Sequence, residues 1–130
     1  MEREAATTFS KHWLAAWTGN RPDDLLAFYA EDAFYSDPGR RDGVRGHAAL
    51  RRYFTRLLAH FPDWAWEPEE VIPTDAGFTL KWRATIPFGG EVIVETGLDI
   101  VEVCDGKITR NEVYFDRSNL VAAMGRHDAG

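Results

Sequence analysis

From Glu4 to Thr18 the apolar residues Ala6, Phe9, Trp13, Ala16 and Trp17 recur at helical spacing, which predicts a first helix. Gly19 suits its end, because glycine takes the left-handed conformation beyond a last turn without steric cost. Asn20 can cap a second helix, with Pro22 and Asp23 fitted to its first turn. Leu25, Leu26, Phe28 and Tyr29 form its buried side, and it runs to about Ala30. Residues 33–37 read as a short strand stopped by the turn pair Pro38-Gly39, and an extended segment around Val44 returns before Gly46. The spacing of Leu50, Phe54, Leu57, Leu58 and Phe61 predicts a third helix over 47–60. Its outer face carries Arg51, Arg52 and Arg56, read as a solvated surface, and Pro62 ends it.

Beyond that point the period changes to two. Trp64 and Trp66 share one face of a strand that continues to about Ile72. Phe78, Leu80, Trp82, Ala84 and Ile86 alternate with Thr79, Lys81, Arg83 and Thr85 in a second strand. Residues 91–103 are apolar on both faces, so both faces need cover. Asp105-Gly106 is a hairpin signal, residues 107–116 form the last strand, and a helical turn or two follows around 119–124. Helices grouped early and meandering strands grouped late define an α+β fold. The natural packing is one strongly curved, mainly antiparallel sheet wrapped on three helices, with Gly97 allowing a bend. One domain covers 1–126, and 127–130 is expected to fray.

Composition narrows the class. A chain of 130 residues with 45% hydrophobic and 28% charged residues is one ordinary soluble domain. Aromatics reach 13%, including five tryptophans, so their placement matters. The net charge of −6, with scattered basic residues, argues against nucleic acid binding by counterion release. Cys104 is the only cysteine, so no internal disulfide or thiolate metal cluster forms. The charged start does not read as a signal sequence, and no apolar run approaches membrane-spanning length. A cytoplasmic location and no membrane partner are the default. The four histidines show no metal-ligand spacing, and no phosphate loop or nucleophile elbow is present, so no metal or cofactor is expected.

The run LLAFYAEDAFYSDP over 25–38 resembles the helix-to-strand signature of SnoaL-like and ketosteroid isomerase-like proteins in the nuclear transport factor 2-like superfamily. Gly46-His47-Ala48-Ala49-Leu50 with Tyr53-Phe54 is similar to that family's glycine-led third helix. Gly97-Leu98-Asp99, Asp105-Gly106-Lys107-Ile108 and Tyr114-Phe115-Asp116 look like its last two strands. The resemblance covers nearly the whole chain. It implies a cone-shaped α+β barrel on a mixed sheet, with a mouth that admits an apolar ligand. It also implies a homodimer, commonly formed through the outer sheet face.

Candidate chemistry centres on two aspartates. In ketosteroid isomerase-like relatives the aspartate matching Asp37 is the proton-shuttling base, a role that apolar walls favour. The plainer reading makes Asp37 a turn initiator before Pro38. Asp99 lies between Leu98 and Ile100, where a carboxylate is costly unless paired or neutral. In the same relatives the matching aspartate stays neutral and donates to a developing oxyanion; a structural bond to Trp, Tyr or Arg is the alternative. Two positions depart from that pattern. Trp13 stands where those relatives place an oxyanion-binding tyrosine, and its indole can donate but cannot shuttle a proton. Gly97 stands where the related epoxide hydrolases carry an arginine. Tyr114 shares a strand face with Arg110, Glu112 and Asp116 and is a third catalytic candidate. In SnoaL-like cyclases an acidic residue on this strand can serve as base; Asp116 matches it as a ligand contact, or pairs with Arg117, or, more simply, caps the terminal helix. The aromatic ligand contacts are Trp13, Trp17, Tyr29, Phe54, Trp66 and Trp82, with Trp13 and Tyr29 placed near the mouth by the resemblance.

Three functions fit these residues. The first is a cofactor-independent acid–base enzyme of isomerase, cyclase or dehydratase type on an apolar, carbonyl-bearing substrate. The second is a non-catalytic binder of a hydrophobic small molecule. The third is a dimerisation or adaptor module whose interior is filled by its own side chains.

Overall fold

The computed structural model describes residues 1–128. Helices α1 (Arg3–Ala15) and α2 (Pro22–Leu26) are followed by strands β1 (Tyr29–Asp37) and β2 (Arg40–Arg45), then helix α3 (His47–His60). Strands β3 (Ala65–Pro73), β4 (Gly77–Phe88), β5 (Glu91–Cys104) and β6 (Lys107–Tyr114) come next, and α4 (Ser118–Asp128) ends the described chain.

All six strands form one sheet in the order β2-β1-β6-β5-β4-β3. Every neighbouring pair is antiparallel except β1 and β6, which run parallel. The sheet is therefore mixed and mainly antiparallel, as expected, but it curves without closing. Its inner face carries Phe78, Leu80, Trp82, Ala84 and Ile86 from β4 and Ile93, Asp99 and Val101 from β5, all buried. These meet Ala6, Trp13 and Leu14 of α1 and Leu50, Phe54 and Leu58 of α3 in a single core. Burial of this apolar area is the main force holding the helices on the sheet.

Several boundaries differ from the sequence reading: α1 ends at Ala15 rather than Thr18, and β6 ends at Tyr114 rather than at 116. Helix α2 stops at Leu26, and Tyr29 already pairs with Ile108. The Ile108 N–H donates to the Phe28 carbonyl at 2.8 Å, so parallel pairing with β6 outweighs the helical pattern. Asn20 does not cap α2; it sits at φ 53°, in the left-handed turn beside Gly19. Helix α4 is longer than the expected turn or two. Its final turn includes His127, whose Nε2 lies 2.6 Å from Glu91, while Arg126 grips the same carboxylate with Nε and Nη2. Of the expected tail, 127–128 thus belong to α4, and 129–130 lie outside the described residues. At the β5–β6 hairpin, Asp105 and Gly106 both have positive φ, as a tight two-residue hairpin requires.

Gly97 faces Trp82 across the β4–β5 ladder. A Cβ placed there would come within 2.5 Å of Trp82 Cζ2 and 2.7 Å of both Phe115 Cβ and the Tyr114 carbonyl oxygen. The residue is a glycine because the Trp82 ring and the β6 backbone occupy the space of a side chain.

Candidate functional site

The helices and the inner sheet face leave a cavity of about 370 Å³. Its deep walls are Leu14, Trp17, Trp64, Trp66 and Trp82, and its outer part includes Arg56, His60, Arg117 and Val121, which are exposed. Four of the five tryptophans therefore border it. Trp82 and Trp66 meet edge to face at 4.5 Å, and Trp64 stacks on Phe61 at 4.8 Å with planes 10° apart. Such interlocked rings hold the wall rigid. The volume falls within the range of small-molecule sites.

Asp37 and Asp99 both open onto this cavity. Asp37 ends β1 at a register shift against β2, where the strand bends into Pro38-Gly39. Tyr35, two residues earlier on the same side, donates from its hydroxyl to Asp37 Oδ2 at 2.8 Å. Tyr53 of α3 donates to the same carboxylate, at 2.7 Å from Oδ2 and 2.9 Å from Oδ1. The Gly39 N–H donates to Oδ1 at 2.8 Å. Asp37 therefore closes the turn and also faces the cavity. Three donors meet a group with about four lone-pair sites, so roughly one remains open. Burial and the Asp37 charge push both phenols well above the usual tyrosine range, keeping them neutral donors.

Asp99 is only 4% exposed. Trp82 Nε1 donates to its Oδ1 at 2.7 Å, and Asn111 Nδ2 donates to Oδ2 at 3.0 Å. Asn111 in turn accepts from the Tyr29 hydroxyl at 2.8 Å, and Tyr29 accepts from Trp13 Nε1 at 3.3 Å. A buried hydrogen-bonded chain thus runs from α1 through β1 and β6 to Asp99. Burial pushes the Asp99 carboxyl up to about 7; the Asn111 and Trp82 bonds oppose that, and the Asp37 charge adds to it. Near neutral pH Asp99 can exist in either protonation state, so it can accept a hydrogen bond or donate one.

The other sequence candidates divide by position. Trp17, Trp66 and Trp82 border the cavity. Trp13, Tyr29 and Phe54 do not: each is buried in the core behind it, and Trp13 and Tyr29 spend their polar atoms on the chain to Asp99. Tyr114 lies outside the cavity, 54% exposed, its hydroxyl bonded to Glu112 at 2.6 Å. The shared face with Arg110 and Glu112 exists, but it is the outer face, because Asn111 and Val113 take the inward positions of β6. Asp116 is exposed and caps α4, accepting from the Ser118 N–H at 2.9 Å, and those bonds lower its pKa. Tyr35, Tyr53 and Asn111, which hold the two aspartates, are absent from the sequence candidates. Tyr35 was findable from its i, i+2 relation to Asp37, and Asn111 from its alternation with Val113. Arg56, read as part of a solvated helix face, is exposed and also borders the cavity. Among the described residues no three His, Cys, Asp or Glu side chains cluster as a metal ion would need. No described helix is long and apolar enough to cross a membrane.

An α+β cone with carboxyls at its cavity defines the class, and comparison with known proteins gives the family. The SnoaL-like domain family matches residues 11–111. This chain belongs to that family. It is 27% identical over 110 residues to a steroid Delta-isomerase of Nocardioides simplex, covering 84% of this chain and 88% of that one. A ketosteroid isomerase-like-fold protein from Catenulispora acidiphila, solved with trimethylamine, superposes with a TM-score of 0.79 at 19% identity, covering 90% of this chain and 92% of that one. An epoxide hydrolase of M. tuberculosis, described as LEH-like, superposes with a TM-score of 0.74 at 18% identity, covering 95% and 92%. At such identities these structures establish the fold and leave the reaction open.

Proposed function

We propose that this protein binds an apolar, carbonyl-bearing small molecule in the tryptophan-walled cavity and performs cofactor-independent proton transfer on it. The observation that carries this reading is the convergence of two carboxyls, held by separate hydrogen-bond sets, on one largely apolar cavity. Asp37, with about one bonding site open, serves as the base. Asp99, when protonated, donates to the carbonyl oxygen as charge develops there. The reaction class is enolisation, as in isomerisation, cyclisation or dehydration. The similarity to a steroid Delta-isomerase makes a β,γ-unsaturated ketosteroid one probe. Trp13, buried against Tyr29, supplies no donor to the cavity, which sets this site apart from a tyrosine-based oxyanion hole.

Wash-in of solvent deuterium at the carbon next to the carbonyl tests the reading without requiring a net reaction. With 2-tetralone and the ketosteroid as probes, wild-type protein should catalyse exchange. Asp37→Asn should lower it by at least 100-fold while ligand-induced tryptophan quenching persists. Binding without exchange in every variant would establish a non-catalytic binder. That second reading is favoured by one observation: three donors already occupy most of the Asp37 carboxylate. The open cavity weighs against an adaptor module packed with its own side chains. The exposed outer-face residues Val92, Val94 and Leu98 support a homodimer through that face.

A further inference from the structure

We infer that the mouth of the cavity selects apolar ligands bearing a carboxylate, which Arg56 and Arg117 hold while the apolar body lies against the tryptophans. The inference rests on the proposed ligand-binding role of the cavity and adds the chemical class of the ligand.

The arrangement follows from the helix. Tyr53, Arg56, Leu57 and His60 stand at i, i+3, i+4 and i+7 of α3, one continuous stripe, and all four border the cavity. Arg56 therefore sits one turn beyond the tyrosine that binds Asp37. Arg117 comes from a different element, the link between β6 and α4. A Cβ on Gly39 would lie 3.1 Å from Arg117 Nη1 and 3.3 Å from Asp37 Oδ1, so this guanidinium is at the same rim. Arg40 is also close enough to Tyr53 to act on its hydroxyl electrostatically.

This clustering runs against the character of the chain. The sequence has 21 acidic and 15 basic residues, yet the exposed charged side chains bordering the cavity are arginines. Of the twelve arginines, four are ion-paired, Arg21 with Asp24, Arg51 with Asp23, Arg110 with Glu102 and Glu112, and Arg126 with Glu91, and Arg3 and Arg45 donate to backbone carbonyls; Arg56 and Arg117 belong to the remainder. Among the described residues no carboxylate lies within ion-pairing distance of Arg56 or Arg117. The rim's own acid, Asp37, is engaged by Tyr35, Tyr53 and Gly39, and Asp116, next to Arg117 in the chain, by Ser118. Two guanidiniums with unused planar donors match a carboxylate, which accepts two parallel N–H bonds from such a fork. The interior beyond them is aromatic, so only the head of the ligand is ionic.

A matched pair of probes tests this. 1-Pyrenebutyrate and 1-pyrenebutanol share a ring system and differ in the carboxylate, and quenching of the cavity tryptophans reads both. Wild-type protein should bind the acid at least tenfold more tightly than the alcohol at low salt, with the ratio shrinking as salt screens the rim. In Arg56→Gln/Arg117→Gln the ratio should collapse toward one because acid binding weakens. Alcohol binding in that variant confirms that it is folded. Equal affinities in the wild type, or an unchanged ratio in the variant, would overturn the carboxylate inference and leave the cavity reading standing. Failure of both probes to bind the wild type would overturn the two together.

Discussion

Asp99 makes its burial visible through stability. Its carboxyl holds a proton up to about pH 7 in the folded protein, against 3.8 for an ordinary aspartate. Between about pH 4 and pH 7 the folded state keeps a proton that the unfolded chain has lost. Stability therefore falls as pH rises through that window and levels off above it. The difference is worth on the order of 4 kcal/mol. Asp99→Asn has no proton to lose, so its contribution does not change over the same range. At pH 4 the variant should be the less stable protein, because a second amide N–H then faces Asn111 Nδ2 or forces that amide to turn away from Tyr29. By pH 7 the gap should narrow by several kcal/mol. Urea denaturation of both proteins at pH 4, 5.5 and 7 measures it, and parallel pH dependences would mean that Asp99 does not change protonation in this range.

Helix α4 decides how enclosed the cavity is. Leu120, Val121 and Met124 border it, while Leu120 and Ala123 are buried against the rest of the domain. Leu120→Ala should cost about 2–3 kcal/mol, the lower part of the range for a large-to-small core change, and should loosen the helix over the cavity. Hydrogen exchange in 118–128 should rise well above its change elsewhere. Uniform loss of protection would instead place Leu120 in the global core. The first half of this helix, around 119–124, was legible in the sequence; its continuation was not, because Gly125 and the polar residues after it interrupt the apolar run. By contrast, α3 and β4 follow their hydrophobic periods nearly residue for residue, since packing and propensity agree there. The site was half legible. Asp37 and Asp99 stand out as carboxylates in apolar surroundings, but Tyr53 reaches Asp37 across 16 residues, a contact that only the fold creates. The place of Arg56 at the cavity rim was hidden for the same reason: a helix with apolar residues on one side does not announce which of its flanking charges borders a void.

At the scale of the molecule, the outer face of the sheet exposes apolar side chains. Val92 is 66% exposed and Val94 and Leu98 nearly half, a density of apolar surface that water disfavours. If a second copy covers this face, Val94→Lys should convert a dimer to a monomer in sedimentation velocity without altering the circular dichroism spectrum. A wild-type monomer at tens of micromolar would remove the proposal. The inner face carries a different kind of constraint. Trp82 fills the place of a side chain at Gly97 and also donates to Asp99, so three positions are locked to one another. No single substitution at 97 is accommodated while the indole stays, and shrinking Trp82 alone strips a donor from a buried carboxyl. Any path by which this scaffold acquires a side chain at 97 must therefore move both the Trp82 ring and the β6 end at Tyr114 and Phe115, each within 2.7 Å of the new Cβ. A library that varies 82, 97, 99 and 115 together will reach combinations that stepwise selection rejects.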